Sequence, residues 1–453
     1  MLYFIIMGGK VMDKVEEKTL KNGLHIIAVQ KQKLPIFQVN IILNVGSVDD
    51  PKGKEGLANL TGNLIDEGTK KYNSIEIAEK FEELGTEFSV SVSKWNTTIS
   101  LKSLTQNAEK SLEILSEILL NPTFPKDEFE KIKKRTISNI ISQKSDPNYI
   151  SRILLSQVLY KEHPLSHPAE GYENTLLNLT REDVVEFYNK YYIPNNTTII
   201  VVSDLEPKKS ISLIEKFLSK WERKDLKRDE IKDIVYPNNK EVYIYHFPGI
   251  NQAFVFLAGK GISRNNSDFN KFRVANYILG GSGFSSRIVK TIRVKYGYAY
   301  WAYSYFDNGF KRDNKIYEGA FIAGFATKIE SGNHAIELLL EEIKKAVNEG
   351  FSEEELKAAK SYYEGSIARQ GQTYSQVADI VYNSKLWNLP YDYWLKDIEE
   401  IKKLDLKQVN ESAKKYLPSS FVMVVVADTN QFKFNVGGFD KVEIKSFGDT
   451  SHN

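Results

Sequence analysis

Apolar residues recur along this chain with two periods, and the switches between them divide it into strands and helices. Gly23 to Gln30 and Gln38 to Val45 alternate or run apolar as strands do, with Pro35 in the loop between. Leu57, Leu60 and Leu64 recur at i, i+3 and i+7, which predicts a short helix with one buried stripe. Asn73 and Ser74 can cap a second helix whose stripe is Ile77, Phe81 and Leu84 and whose stop is Gly85. Phe88 to Leu104 reads as strand, turn and strand. Ala108, Leu112, Leu115 and Leu119 define an amphipathic helix that stops before Pro122. Pro125 suits the first turn of a long helix reaching about Gln143, which Asp146-Pro147 closes. Tyr149 to Tyr160 reads as helix, Thr180 caps a helix to Lys190 with Asp183 at the capping-box position, and Thr197 to Val202 is a β-branched strand.

The pattern then repeats. Phe124-Pro-Lys-Asp-Glu-Phe-Glu-Lys-Ile-Lys matches Phe351-Ser-Glu-Glu-Glu-Leu-Lys-Ala-Ala-Lys at an offset of 351 − 124 = 227. Tyr192-Ile-Pro and its strand match Tyr416-Leu-Pro and its strand at 418 − 194 = 224, and Asp204 and Asp428 agree. Two distant matches at nearly one offset indicate duplicated domains, since a solenoid would repeat at shorter periods. Charged, aperiodic Glu222 to Lys240 reads as a linker. The division expected is 14–221, a linker at 222–240, and 241–445. Each half reads as α+β, a largely antiparallel sheet packed against helices.

Composition narrows the chemistry. The 453 residues are 42% hydrophobic and 26% charged, a soluble globular balance, and a formal charge of +2 gives no reason to expect nucleic acid or an anionic membrane as partner. Cysteine is absent, which excludes disulfides and thiolate ligands, and six histidines leave little for a metal site. Met1 to Met7 is too short to span a bilayer and lacks the features of a secretory signal; a start at Met7 or Met12 is also compatible, and the cytoplasm is the expected compartment.

On the Leu57–Leu64 helix, Asn59, Gly62, Asn63 and Asp66 share the polar side, and Asn59 and Asn63 are i, i+4 neighbours. That spacing is where a metallopeptidase helix carries two zinc-binding histidines and a general-base glutamate. Asn139 lies roughly 20° from Ile132 on the long helix, at the margin of its packed face. His163 and His167 are four apart, but Pro164 and Pro168 break any helix there and they read as loop histidines. Gly280, Gly281, Ser282 and Gly283 precede a short helix that Ser285 or Ser286 could cap; the Walker lysine pattern is missing, so they read as a flexible connection. From Tyr298 alternation places Tyr298, Tyr300, Ala302 and Ser304 on one face and Ala299, Trp301, Tyr303 and Tyr305 on the other.

The Asn22-Gly23 strand start, the frame Gly56-Leu-Ala-Asn-Leu-Thr-Gly-Asn with its later Gly68-Thr69, Tyr192 to Asn196, Gly280 to Arg287 and Tyr416-Leu-Pro together resemble the pitrilysin/insulinase family of zinc peptidases. Size and two-domain build look most like the short branch that contains mitochondrial processing peptidase, in which two chains close around a peptide and often only one holds zinc. The family's first histidine falls on Asn59, its glutamate on Gly62, its second histidine on Asn63 and its distal glutamate on Asn139 within about one residue. Carboxamides are poor zinc ligands and glycine cannot activate water, so the resemblance implies a degenerate site without metal in this chain. Asn139 is expected to hydrogen-bond to Asn59 or Asn63 there. The family's arginine and the tyrosine seven positions later match Arg293 and Tyr300, and the resemblance implies that this pair holds substrate backbone in trans, with Gly280, Gly281, Ser282 and Gly283 lining the peptide cavity.

The expectation is a non-catalytic, substrate-binding subunit of a heterodimeric zinc endopeptidase. Its partner would be a homologous chain with an intact His-x-x-Glu-His, which supplies the zinc. The rivals are a structural or interaction subunit, a homodimeric peptide-binding chamber, and an autonomous peptidase with unorthodox ligands.

Overall fold

A computed structural model describes residues 5–6 and 9–446; most of the run Met1 to Met7 lies outside them. The chain divides into two compact units, each built on a six-stranded sheet. The first holds β1 (Lys14–Thr19), β2 (His25–Gln30), β3 (Ile36–Leu43), β4 (Glu87–Val92), β5 (Thr97–Leu104) and β6 (Thr197–Ser203) in the order β1-β2-β6-β3-β5-β4. The second holds β7 (Lys240–His246), β8 (Gln252–Lys260), β9 (Ala299–Phe306), β10 (Ala320–Lys328), β11 (Phe421–Ala427) and β12 (Lys441–Ser446) in the order β9-β10-β8-β11-β7-β12.

Five strands correspond one to one between the units, and β6 and β11 stand at the expected spacing, 421 − 197 = 224. Both sheets are largely antiparallel with one central parallel pair, β2 with β6 and β7 with β11. The sixth strand breaks the duplication. β1 precedes β2 and pairs with it antiparallel, whereas β12 ends the described chain and pairs with β7 parallel.

Helices α1 (Leu57–Leu64), α2 (Ser74–Glu83), α3 (Ala108–Leu120), α4 (Lys126–Gln143), α5 (Pro147–Tyr160), α6 (Arg181–Tyr191) and α7 (Pro207–Leu218) follow the first-half pattern. The second half adds α8 (Phe269–Asn276), α9 (Gly332–Asn348), α10 (Glu353–Ser366), α11 (Tyr374–Trp387), α12 (Tyr393–Lys403) and α13 (Leu406–Tyr416). Asn73 caps α2 by accepting the Glu76 N–H at 2.9 Å, and Thr180 with Asp183 forms a capping box on α6. Asp146 does more than end a helix: it caps α5, with Pro147 at the first helical position, so Asp-Pro both stops and starts.

The units do not follow the contiguous division 14–221 and 241–445. Ser142–Ser166, carrying α5, belongs to the second unit, and Ala368–Tyr391, carrying α11, belongs to the first. Ile150, Leu154, Leu155, Val158 and Leu159 of α5 pack on Tyr243, Tyr245, Phe256, Val422, Val424 and Val426. In the first unit Tyr374 donates to the Lys31 carbonyl at 2.7 Å and accepts the Leu34 N–H at 3.1 Å, and the Gln38 amide donates to Ser375 at 3.1 Å. The exchange explains a sequence feature. Ile199 to Val202 of β6 and all of β11 run apolar because helices cover both of their faces. No helix among the described residues is long and apolar enough to cross a membrane.

Leu154 is 1% exposed, so Leu154→Ala is expected to cost about 2–5 kcal/mol through lost burial and a residual cavity. Tyr374→Phe, which strands the Leu34 N–H, is expected to cost about 1–2 kcal/mol. Denaturant titration of the full chain, read as a shift in midpoint, checks both.

Candidate functional site

The first candidate constellation lies at α1. Asp50 seats this helix, accepting the Gly56 N–H at 2.8 Å and the Ala58 N–H at 2.7 Å, which stands in for the side-chain cap that Gly56 cannot provide. Leu57, Leu60 and Leu64 are buried as the stripe requires. Asn59 and Asn63 are half-buried and bond to each other, the Asn63 amide donating to the Asn59 carbonyl oxygen at 2.9 Å. Asn139 is exposed on α4, so the amide pair is satisfied internally rather than through the third asparagine.

Gly62 is buried against the edge strand β4. A Cβ built there would stand 2.5 Å from Val92 Cγ2, 3.4 Å from Val90 Cγ1 and 3.7 Å from the Tyr192 hydroxyl. Val92 is β-branched and stiff, so the space a catalytic glutamate would need is already filled. This is a second obstacle to metal chemistry beyond the donor set. Two carboxamides and a glycine do not fit zinc, and among the described residues no group of three or more His, Cys, Asp or Glu side chains could hold a metal ion. Nearby, burial pushes the Asp66 carboxyl up despite the Arg135 guanidinium, and burial likewise raises Glu67.

The two loop histidines are buried and bonded to backbone. His163 Nε2 donates to the Lys232 carbonyl at 3.2 Å while its Nδ1 accepts the Leu165 N–H, and His167 Nδ1 donates to the Pro168 carbonyl at 2.9 Å. Burial, reinforced by the Lys94 ammonium that donates to the His167 carbonyl, holds the His167 imidazole down at about 4. Burial also lowers Lys94 to about 8. Periodicity gave no sign of this cluster, because its members come from separate loops.

The second constellation lies wholly in the second unit. Gly280 lies in the last part of a π-helical turn, Tyr277–Gly281, against the edge strand β9, where a Cβ would meet Ser304 Oγ at 2.3 Å. Ser285 and Ser286 do not cap the helix that follows; their hydroxyls donate to the Ser282 and Gly283 carbonyls at 3.1 and 2.7 Å. Arg293 sits in a second π-helical stretch, Val289–Lys295. Such wide turns are rare and concentrate at functional sites.

Strict alternation along β9 fails at one place. Ala299 pairs with Thr327 but Ala302 with Phe325, so a bulge adds one residue between them. Ala299, Ala302 and Ser304 are therefore buried, while Tyr300 is thrust outward and is 82% exposed. Tyr300 is thus no part of the sheet core. Arg293 lies between two rings, its guanidinium carbon 4.4 Å from the centre of Phe284 and 5.1 Å from that of Tyr300. Phe284, 65% exposed, was not singled out from the sequence; its one signal is a large aromatic directly after a glycine-rich loop.

Comparison with known proteins identifies the scaffold. The family described as "Insulinase (Peptidase family M16)" matches residues 25–172, and "Peptidase M16 inactive domain" matches 178–363. The chain belongs to peptidase family M16. Among its M16 relatives is a Helicobacter pylori protein named "Non-peptidase homolog YmxG", 23% identical over 426 residues that cover 91% of this chain and 94% of the relative. The crystal structure of a peptidase M16 inactive domain from Pseudomonas fluorescens superposes with a TM-score of 0.84 at 26% identity, covering 93% of this chain and 99% of that one. A mitochondrial-processing peptidase subunit alpha-1 from Dictyostelium discoideum is 26% identical over 206 residues, covering 45% of this chain and 31% of the relative.

Two measurements follow from this geometry. Installing Asn59→His, Gly62→Glu, Asn63→His and Asn139→Glu together is expected to give neither stoichiometric zinc nor peptidase activity. Gly62→Glu alone should destabilise the fold by about 1–3 kcal/mol, partly relieved by Val92→Ala, as read by metal analysis and thermal unfolding. For His167 the folded state resists a proton that the unfolded chain accepts below its usual 6.5. Stability present above that pH is therefore lost as pH falls toward 4, by about 3 kcal/mol from this group, and His167→Asn should flatten the slope of unfolding free energy between pH 7 and 4.

Proposed function

We propose that this chain is the non-catalytic, substrate-holding subunit of a heterodimeric M16 endopeptidase. The observation that carries the reading is a pairing of opposites. One constellation lacks metal donors and is closed by Val92, while the other sets a half-buried Arg293 beside a solvent-exposed Tyr300. A homologous partner with an intact His-x-x-Glu-His would supply zinc and the general base. This chain would supply directional donors: a guanidinium and a phenol aimed at a peptide carbonyl hold the backbone and stabilise charge that develops on it. Gly280, Gly281, Ser282 and Gly283 would line the peptide chamber. The relative named as a non-peptidase and the relative named as one subunit of a processing peptidase both support a division of labour.

A purely structural or interaction subunit is the second reading, favoured by the Asn59–Asn63 bond, which leaves these amides satisfied without substrate. Peptide cleavage by each chain alone and by the mixture separates the two. The mixture is expected to exceed the partner alone, and Arg293→Ala or Tyr300→Phe to lower the mixture's kcat by about 10- to 1000-fold. A mixture no more active than the partner alone rejects the proposal. Intact activity in both variants supports the structural reading.

A further inference from the structure

We propose that Phe284, Arg293 and Tyr300 form a carboxylate receptor. The peptides this subunit holds would then be those offering a free C-terminus or an aspartate or glutamate side chain. The inference rests on the peptide-holding reading above and adds the class of peptide.

A guanidinium is planar, and all five of its N–H donors point outward in that plane. The rings of Phe284 and Tyr300 stand 4.4 and 5.1 Å from its carbon and engage its charge, and neither supplies the in-plane acceptor that its N–H donors take. Among the described residues the Arg293 guanidinium has no hydrogen-bond or ion-pair partner. Its neighbour Arg287 shows the contrast. That guanidinium is gripped in parallel by Glu355, at 2.7 and 2.6 Å, and stacks on Phe351 at 4.7 Å. The same unit thus completes one stacked arginine with a carboxylate of its own and leaves the other without one. A planar, bidentate acceptor is the group that matches the open fork, and a carboxylate is such a group in peptides.

The surrounding charge points the same way. From Gly280 to Phe306 there is no aspartate or glutamate, while Arg287, Lys290, Arg293 and Lys295 contribute four cations. The adjacent acids Glu355 and Glu342 are engaged by Arg287 and by the Thr291 hydroxyl, the latter at 2.9 Å. Exposed aromatics and cations also serve single-stranded nucleic acid, but the chain's formal charge of +2 supplies no extended field for a phosphate backbone.

The test is fluorescence anisotropy on the full chain with a labelled peptide of small and aromatic residues in three forms. One has a free C-terminus, one is amidated and neutral, and one is amidated with a single internal glutamate; a labelled oligothymidine is the fourth probe. At least one carboxylate form is expected to bind about tenfold more tightly than the neutral amide, and whichever does names the source of the carboxylate. Arg293→Gln should abolish that preference, and Arg293→Lys, which keeps charge but not the fork, should leave only a small part of it. Phe284→Leu should weaken it. Equal binding of all three peptides, still dependent on Arg293, overturns the carboxylate claim and leaves the peptide-holding reading standing. Absence of any peptide binding overturns both, and Arg293-dependent binding of oligothymidine alone replaces them with a nucleic-acid site.

Discussion

The approach of helix α1 to edge strand β4 is the constraint on which the rest depends. At their crossing a side chain has no room: Val92 stands 2.5 Å from where a Cβ on Gly62 would be. Close packing of this kind transmits strain rather than absorbing it. The glycine is thus part of the first unit's core packing. Here the want of metal-holding side chains among the described residues and the want of space go together, and the proposed non-catalytic role rests on both.

Duplication makes the contrast legible within one molecule. In the second unit the equivalent edge strand is β9, and there too a glycine lies at the crossing, Gly280 against Ser304. The outcomes differ beyond that point. In the first unit the helix face ends in two amides that satisfy each other. In the second, beside a wide helical turn and a strand bulge, Phe284 and Tyr300 are exposed and Arg293 is half-buried against both rings. One copy has turned its polar groups inward on themselves, and the other leaves a cation stacked between exposed rings.

Much of this was legible in the sequence, for identifiable reasons. Helix caps such as Asn73 and Thr180 act within one turn, so local pattern suffices to find them. The duplication is visible because offsets survive when residues change. Contacts distant along the chain were not visible. Nothing near Pro147 or Tyr374 announces that α5 and α11 serve the opposite units; only the apolar runs Ile199 to Val202 and Phe421 to Ala427 hint that both sheet faces are covered. The bulge that turns Tyr300 outward is a property of the β9–β10 register, which a single strand's alternation cannot reveal. Val92 against Gly62 is likewise a tertiary fact that no local pattern carries.

The central claim is that this M16 chain no longer offers a zinc site. The most direct measurement is metal analysis of the purified, unmodified full chain after equilibration with excess zinc and removal of free ion, followed by anomalous diffraction at the zinc edge. The account predicts no zinc retained at Asn59 and Asn63 and no anomalous peak beside α1. Stoichiometric zinc with a peak at that pair would contradict it.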